Sequence, residues 1–597
     1  MKAYVMKHII GLCYRDGTKD IVLEETLRTE GIPYVRVHRP EDMKGLRGLI
    51  VGEGFDSWSS EIGEFLESGG VLLSFRPSGS LADELGLEEA GVQENGYLIA
   101  VGRGAEIISY EGRLQIFGET KLYRGGERLA GLSPKEDFGG IIRVKRGSGE
   151  AIVVAFDLPT TALTMLQPAS ECGKLVDGFK VEYDLGRIPQ VDLLRRLIIG
   201  LFLDALKIPI LRLWYFPSCR RALLIISGDQ DGCDLEVMKV VLEIIKELKL
   251  PYTLFVMPTV QPISKDGFRM LAEEGIEFGF HPDFFFKPGK VKISKPGAKI
   301  RTADPSIFNE DEFRSQLRKA EEDVGCKIIG ERTHGLRWET IHEIPLWAER
   351  AGIQHESSMG SKMWESKPPM MGYWTGSGLP YHFIDPDDGY RRMDVIEIPL
   401  LGSDNMFFWK PTEYIVAIKP DACKSFIAGM GLSEDEAFEI AKKYLDEALE
   451  KYHTANFYCF HPIYLAARRL KKPVYYTDTL LRKLVNYARE RGAGIISINS
   501  WNNFWRAREN AEVESIEWNM KEPSLRCRVK SPTGVESLTF IAPLEFDGKR
   551  AEVRVDGRKK KFEEARILGG DYAMFTIDIK AAGEITIEVK YTQPPGQ

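Results

Sequence analysis

The chain of 597 residues has no C-x-x-C pair; its eight cysteines, Cys13, Cys172, Cys219, Cys233, Cys326, Cys423, Cys459 and Cys527, are scattered. That excludes a zinc ribbon and a dithiol redox motif, and the usage fits a reducing compartment. There is no basic excess either. Lys+Arg is 80 against Asp+Glu 88, a formal net charge of −8, so the overall positive field that nucleic-acid binding draws on is missing. No long apolar run occurs. The N-terminal MKAYVMKHIIGLCYRDGTKD is broken by Lys7 and His8 and lacks the apolar core of a signal peptide. Residues 193–216, LLRRLIIGLFLDALKIPILRLWYF, are interrupted by Arg195, Arg196, Asp204, Lys207 and Arg212, short of the about 18 apolar residues of a membrane span. The expectation is a soluble, cytoplasmic protein without a nucleic-acid or membrane partner.

What is present reads as ordinary folded protein. The chain is 43% hydrophobic and 28% charged, which excludes a disordered or low-complexity chain. The length predicts roughly two to four domains, and the patterning predicts three. In residues 1–205, GLIVG (48–52) and GGVLLSF (69–75) are strand-like. TKDIVLEETLRTEG (18–31) and SSEIGEFLESGG (59–70) have helical spacing and end at Gly. Beyond about residue 97 strands dominate, ending in AIVVAFDLP (151–159). An α/β domain of flavodoxin-like type is expected, a parallel sheet with antiparallel additions. Residues 206–510 repeat a strand–helix unit about seven or eight times, which predicts an irregular (β/α)7–8 barrel. Residues 511–597 carry short alternating runs, LTFIAPL, AEVRVDG, AMFTIDI and EITIEVKY, and predict a small β-sandwich. Its basic run GRKKKF (557–562) reads as a solvated edge or loop.

The predicted barrel strands end in polar residues. The first ends in Ser227-Gly-Asp229-Gln-Asp231, the third in His281-Pro-Asp283, the fourth in Arg332-Thr-His334-Gly-Leu-Arg337-Trp338, the seventh in His461-Pro462. Only nine histidines are present, and three of them follow predicted strands. In such a barrel these positions open onto one face, where active sites are built. Each piece alone has a structural explanation: Asp-x-Asp caps helices, and a lone His-Pro is usually a bonded loop residue. Together they make a coherent chemistry. Asp229 and Asp231, two apart on an extended strand end, are expected to point the same way. One carboxylate can bind a divalent metal while the other stays free as a base. Two imidazoles and a carboxylate with an open position suffice for a catalytic zinc-type site. The metal acidifies water and polarises a carbonyl, and a further histidine protonates the leaving nitrogen.

Residues 215–505 resemble the polysaccharide deacetylases of the NodB-homology group, carbohydrate esterase family 4. The resemblance rests on Asp229-Gln-Asp231, His281, Arg332 and His461 in that order. It implies Asp229 as catalytic base, Asp231 and His281 as metal ligands, Arg332 orienting the base, and His461 as general acid or as a residue shaping the acetyl pocket. Asp404 in PLLGSDNMFFW is a candidate partner for that histidine. The second motif normally has two histidines four apart, and Phe285 stands at the second. His334 in RTHGLRW is the favoured replacement, with Asp283 as the alternative. Zinc is the expected metal, with cobalt, nickel or manganese as alternatives. Trp338 and Trp374 are candidate walls for a sugar ring, and Arg337 and Tyr373 are grouped with them. The stretch Tyr373–Tyr381 reads as a loop at the same face whose glycines permit close substrate approach. The N-terminal region resembles class I glutamine-amidotransferase-like domains, whose working members carry a nucleophilic Cys on a tight elbow. Here that turn reads SFRPSGS (74–80) and Cys13 lies near the end of the first strand, so a non-catalytic domain is expected.

Three functions compete. The first is a metal-dependent hydrolase removing an N-acetyl or similar acyl group from an amino sugar or oligosaccharide, alone or as a homo-oligomer. The second is a catalytically silent carbohydrate-binding or assembly protein on the same scaffold. The third is a glycoside hydrolase, for which Asp229 and Asp231 are poorly placed, since attack on opposite faces of a glycosidic bond needs carboxylates from different elements.

Overall fold

The computed structural model describes residues 9–167, 170–171, 174–175, 184–284, 300–302, 305–338, 342–360, 371–409, 414–419, 423–427 and 429–593. Phe285 lies outside them.

The chain is mixed α/β. Short, wholly buried runs such as Ile10–Cys13, Gly48–Val51 and Val71–Phe75 pair in parallel, as expected of strands covered on both faces. They form a nine-stranded sheet with Val35–Arg36 at one edge. Gly149–Val154 continues the parallel part, and Gly139–Arg146, Glu127–Ser133, Glu88–Ala100 and Gly112–Arg124 complete it in antiparallel fashion. The tight turn after Val71–Phe75 holds Arg76 at φ +47°. Arg76 pairs there with Glu53 at 2.8 Å, Glu119 at 2.5 Å and Asp157 at 3.1 Å. Cys13 is buried in an apolar cluster instead, with its thiol pushed up to about 12 by burial. That turn thus carries a cation locked in ion pairs.

A second sheet positions the candidate site. Its parallel strands run Arg391–Glu397, His355–Glu356, Gly330–Glu331, Glu277–Phe280, Thr253–Val256, Leu223–Asp229 and Ala455–Cys459. The chain leaving Arg391–Glu397 continues into Gly402–Ser403, which pairs with Ala455–Cys459 at the far side. The sheet is therefore rolled upon itself. Helices between strands are capped locally. Asp234 accepts from Val237 N–H at the start of Leu235–Glu247. Asn309 opens Glu310–Val324, which Gly325 ends at φ +76°. A Ser433–Glu436 capping box starts Glu434–Glu447.

The C-terminal residues form two antiparallel sheets, of six and four strands. Arg558–Lys560, the core of the basic run, is a largely exposed strand on Lys549–Val555. Arg212–Leu213 pairs with Val535–Pro543 in the four-stranded sheet, so one strand from before the rolled sheet lies among the C-terminal strands. No described helix is long and apolar enough to cross a membrane.

Candidate functional site

The strand Leu223–Asp229 is buried along its whole length, and its parallel neighbours aim their C-terminal ends the same way. Asp229 closes the strand. Asp231 does not continue it: its φ is +48°, and Gly232 follows at +75°. The two carboxylates share one site because the chain turns left-handed between them. The alternation of an extended strand, expected from sequence, is not the cause. Aspartate tolerates this conformation better than most residues. Buried Gln230 braces the turn, its amide oxygen accepting from Met257 N–H at 3.2 Å and Gln261 Nε2 at 2.9 Å.

Three histidines converge on Asp231. Nε2 of His281 lies 3.4 Å and Nε2 of His334 3.8 Å from Oδ1, while Nε2 of His461 lies 3.6 Å from Oδ2. In each ring the other nitrogen faces an acceptor. Nδ1 of His281 donates to the Arg332 carbonyl at 2.5 Å, Nδ1 of His334 to Asp283 at 3.1 Å, and Nδ1 of His461 to Asp404 at 2.6 Å. A carbonyl or carboxylate can only accept, so each Nδ1 carries a proton and each Nε2 is turned toward Asp231. Nε2 of His281 is buried with no hydrogen-bond partner. Burial opposes ionisation of Asp231, but His281, His334 and His461 outweigh it and hold the carboxyl below its ordinary range.

Asp229 is held separately. Its Oδ1 accepts from Nη1 of Arg332 at 2.7 Å. The same guanidinium donates to Ser227 and Ser357, each at 3.1 Å, and lies over the rings of Phe255 and Phe457. Burial pushes the Asp229 carboxyl up, but Arg332, with His281 and His461, brings it below the usual carboxylate range. His461 shows the opposite balance. Burial alone would depress it, yet Cys459 and Asp404 raise it well above the ordinary histidine value.

Asp229, Asp231, His281, Arg332, His334, Asp404 and His461 are thus brought together. Asp283 is fully buried and serves His334, with Thr259 donating to its other oxygen at 3.1 Å. The expected sugar-binding residues are buried in the interior. Trp338, Tyr373, Trp374 and Arg337 are each 2% exposed or less. Trp338 stacks on Phe383, and Arg337 donates to the Phe284 carbonyl, bracing the His281 loop. Tyr373 bonds Thr454 at 2.8 Å, and Gly378 O accepts from Ala455 N–H at 3.0 Å. Both contacts sit where Ala455–Cys459 begins, the opposite end from His461. The glycines of this stretch serve close packing: a Cβ on Gly376 or Gly378 would meet Val191 or Thr454 at under 3 Å. These four are corrected from substrate walls to interior packing.

Other residues carried no sequence signal. Cys459 lies beside Asp229 and His461. Tyr464, one helical turn past His461, sets its ring edge-on to that imidazole at 5.6 Å. Glu331, Glu356 and Glu397 are fully buried and stand in register across three strands. Burial first, and Glu356 second, push Glu331 and Glu397 well above the ordinary carboxyl range.

No family model and no curated protein sequence matches the chain. Solved structures do. The chain is similar to carbohydrate deacetylases. One is Agd3, a carbohydrate deacetylase, at 10% identity over 99% of both chains with a TM-score of 0.38. Another, a Mycobacterium smegmatis chain assigned as a polysaccharide deacetylase, is 15% identical over 50% of this chain and 94% of its own, TM-score 0.33. Puue allantoinase matches at 13% identity over 49% of this chain and 93% of its own, TM-score 0.33.

Proposed function

We propose that the chain is a metal-dependent hydrolase that removes an N-acetyl or similar acyl group from an amino sugar or acetylated oligosaccharide. The observation that carries this reading is the convergence of three imidazole Nε2 atoms on Asp231 beside an arginine-held Asp229. The donor set fits a metal. Nε2 of His281 is buried with no hydrogen-bond partner, and a divalent cation there would satisfy it. Asp231, His281 and His334 would hold the ion, with Asp283 orienting His334 as an outer partner. Two imidazoles and a carboxylate suit zinc first, then cobalt, nickel or manganese. Bound there, the ion supplies acidity to water and polarises the acyl oxygen. Asp229, ionised and aimed by Arg332, takes the proton of the attacking water. His461, steadied by Asp404, returns a proton to the leaving nitrogen. The rolled sheet is read as the irregular (β/α) barrel, spanning 206–510. The sheet before it is read as a non-catalytic amidotransferase-like domain, 1–205, and the strands after it as a β-sandwich. The protein is read as cytoplasmic.

Elemental analysis of purified protein tests this. About one zinc, cobalt or nickel per chain is expected, lost in Asp231→Asn and in His281→Ala. Acetate should be released from N-acetylated oligosaccharides by wild type and not by Asp229→Asn. Wild type that retains no metal under any loading condition refutes the hydrolase and leaves a silent binding protein. Shortened glycans without free acetate point to a glycosidase.

A further inference from the structure

Cys459 ends the strand Ala455–Cys459 two residues before His461. Its side chain is 1% exposed and lies among the groups at the base of the site. The reaction proposed above gives it no part. Yet Asp229, Cys459 and His461 each offer a donor atom, and these atoms all lie within 4.8 Å of one another. Sγ of Cys459 is 4.0 Å from Nδ1 of His461. Arg332 occupies Oδ1 of Asp229, and Oδ2, 3.8 Å from Nε2 of His281, faces the histidines. This set is separate from the Asp231–His281–His334 group, with which it shares no residue.

We propose that Asp229, Cys459 and His461 form a second cation subsite, which takes a thiophilic divalent ion such as zinc, cadmium or cobalt and arrests the reaction. The ligands stand on their own geometry; the arrest rests on the hydrolase reading. On binding, the S–H bond of Cys459 breaks as the metal–sulfur bond forms, and the proton passes to solvent. Burial and the Asp229 carboxylate push the Cys459 thiol up to about 11, so the incoming ion has to displace its proton. Thiolate selects zinc, cadmium and cobalt, while magnesium and manganese prefer all-oxygen sites. The arrest follows from identity of atoms. The carboxylate and imidazole that hold the second ion are those that move protons in hydrolysis, and neither does so while coordinated.

The full chain is titrated with Zn2+ and, separately, Co2+, counting bound ions and recording thiolate-to-cobalt charge-transfer absorption. Wild type should take about two ions per chain, and Cys459→Ser and Cys459→Ala about one. The charge-transfer absorption should appear in wild type only. Acetate release should fall about a hundredfold between the first and second equivalents in wild type, with no such fall in the Cys459 variants or in Mg2+ and Mn2+. His281→Ala should lose the first ion and keep the charge-transfer absorption, which separates the two sites. A single ion in wild type, with no charge-transfer absorption at saturating cobalt, overturns the second subsite and leaves the hydrolase standing. Charge-transfer absorption without hydrolysis at any loading overturns the hydrolase and leaves the subsite. Should the Cys459 variants fail to fold, the cobalt spectrum of wild type decides alone.

Discussion

Nδ1 of His461 donates to Oδ1 of Asp404 at 2.6 Å, and Oδ2 of the same carboxylate accepts the backbone N–H of His461 at 2.9 Å. One fully buried aspartate therefore fixes both the ring and the chain that carries it. Asp404→Asn keeps the shape but removes the acceptor charge. Its kcat for acetate release is expected to fall about 10²–10⁴-fold with KM little changed. Steady-state kinetics against chain length and concentration measure this, and an unaltered kcat would remove His461 from proton transfer.

Arg332 is wholly buried and shares its donors among Asp229, Ser227 and Ser357. Arg332→Ala leaves the Asp229 carboxylate buried without its cation, at a cost of about 3–5 kcal/mol in stability. Arg332→Lys cannot reproduce the fork. It should retain more stability than Arg332→Ala while still losing most activity. Urea midpoints and acetate release, measured on both variants, separate the structural from the orienting contribution.

Asp283 touches Nδ1 of His334 at 3.1 Å and is otherwise enclosed. Asp283→Asn should weaken metal affinity about 10–100-fold without abolishing binding. His334→Ala should lose the ion outright. Competition with a chromogenic chelator reads both; equal, complete loss in the two variants would make Asp283 the ligand.

Glu331 and Glu397 have raised folded-state carboxyl values. Once unfolded they titrate near the ordinary glutamate value, so above it the folded state holds the extra protons. Stability then falls as pH rises from the ordinary carboxylate range. Glu331→Gln with Glu397→Gln should flatten that decline and stabilise the protein at neutral pH. Urea unfolding from about pH 5 upward tests it. A double variant whose stability declines as steeply as wild type would show that these two carboxyls are ionised in the fold.

Trp338 and Trp374 lie in the interior at 1% and 2% exposure. Replacing either by Ala should cost about 3–5 kcal/mol and leave the KM of the remaining folded enzyme unchanged. A selective rise in KM without loss of stability would return them to the substrate path.

The residues of the candidate site could be gathered from the sequence because parallel strands aim their C-terminal ends one way. Asp229, Asp231, His281, Arg332, His334 and His461 could be gathered from strand ends alone. Asp404 was weaker, since it starts the short helix Asp404–Phe408 and only the fold brings it to His461. Trp338, Tyr373 and Trp374 misled for the converse reason. An aromatic and glycine-rich stretch announces close packing but not which end of the strands it covers. Glu331, Glu356 and Glu397 were invisible because burial of a carboxyl depends on what lies over the sheet. The strands Gly330–Glu331 and His355–Glu356 are two residues each, too short for periodicity to tell inside from outside. The ion pairs of Arg76 were not legible, because its three carboxylate partners come from separate elements.

Asp192, on the helix Gln190–Leu206, accepts Ser377 Oγ at 2.8 Å and Gly378 N–H at 2.9 Å beneath the rolled sheet. Arg508, near the end of Ile498–Glu509, donates to the carbonyls of Arg28 at 3.2 Å and Thr29 at 2.9 Å. A minimal fragment cut at residue 205 would strip these partners from both sides and open the apolar surface around them to water. Anyone trimming this protein for crystallisation or industry should expect aggregation from the shorter chain.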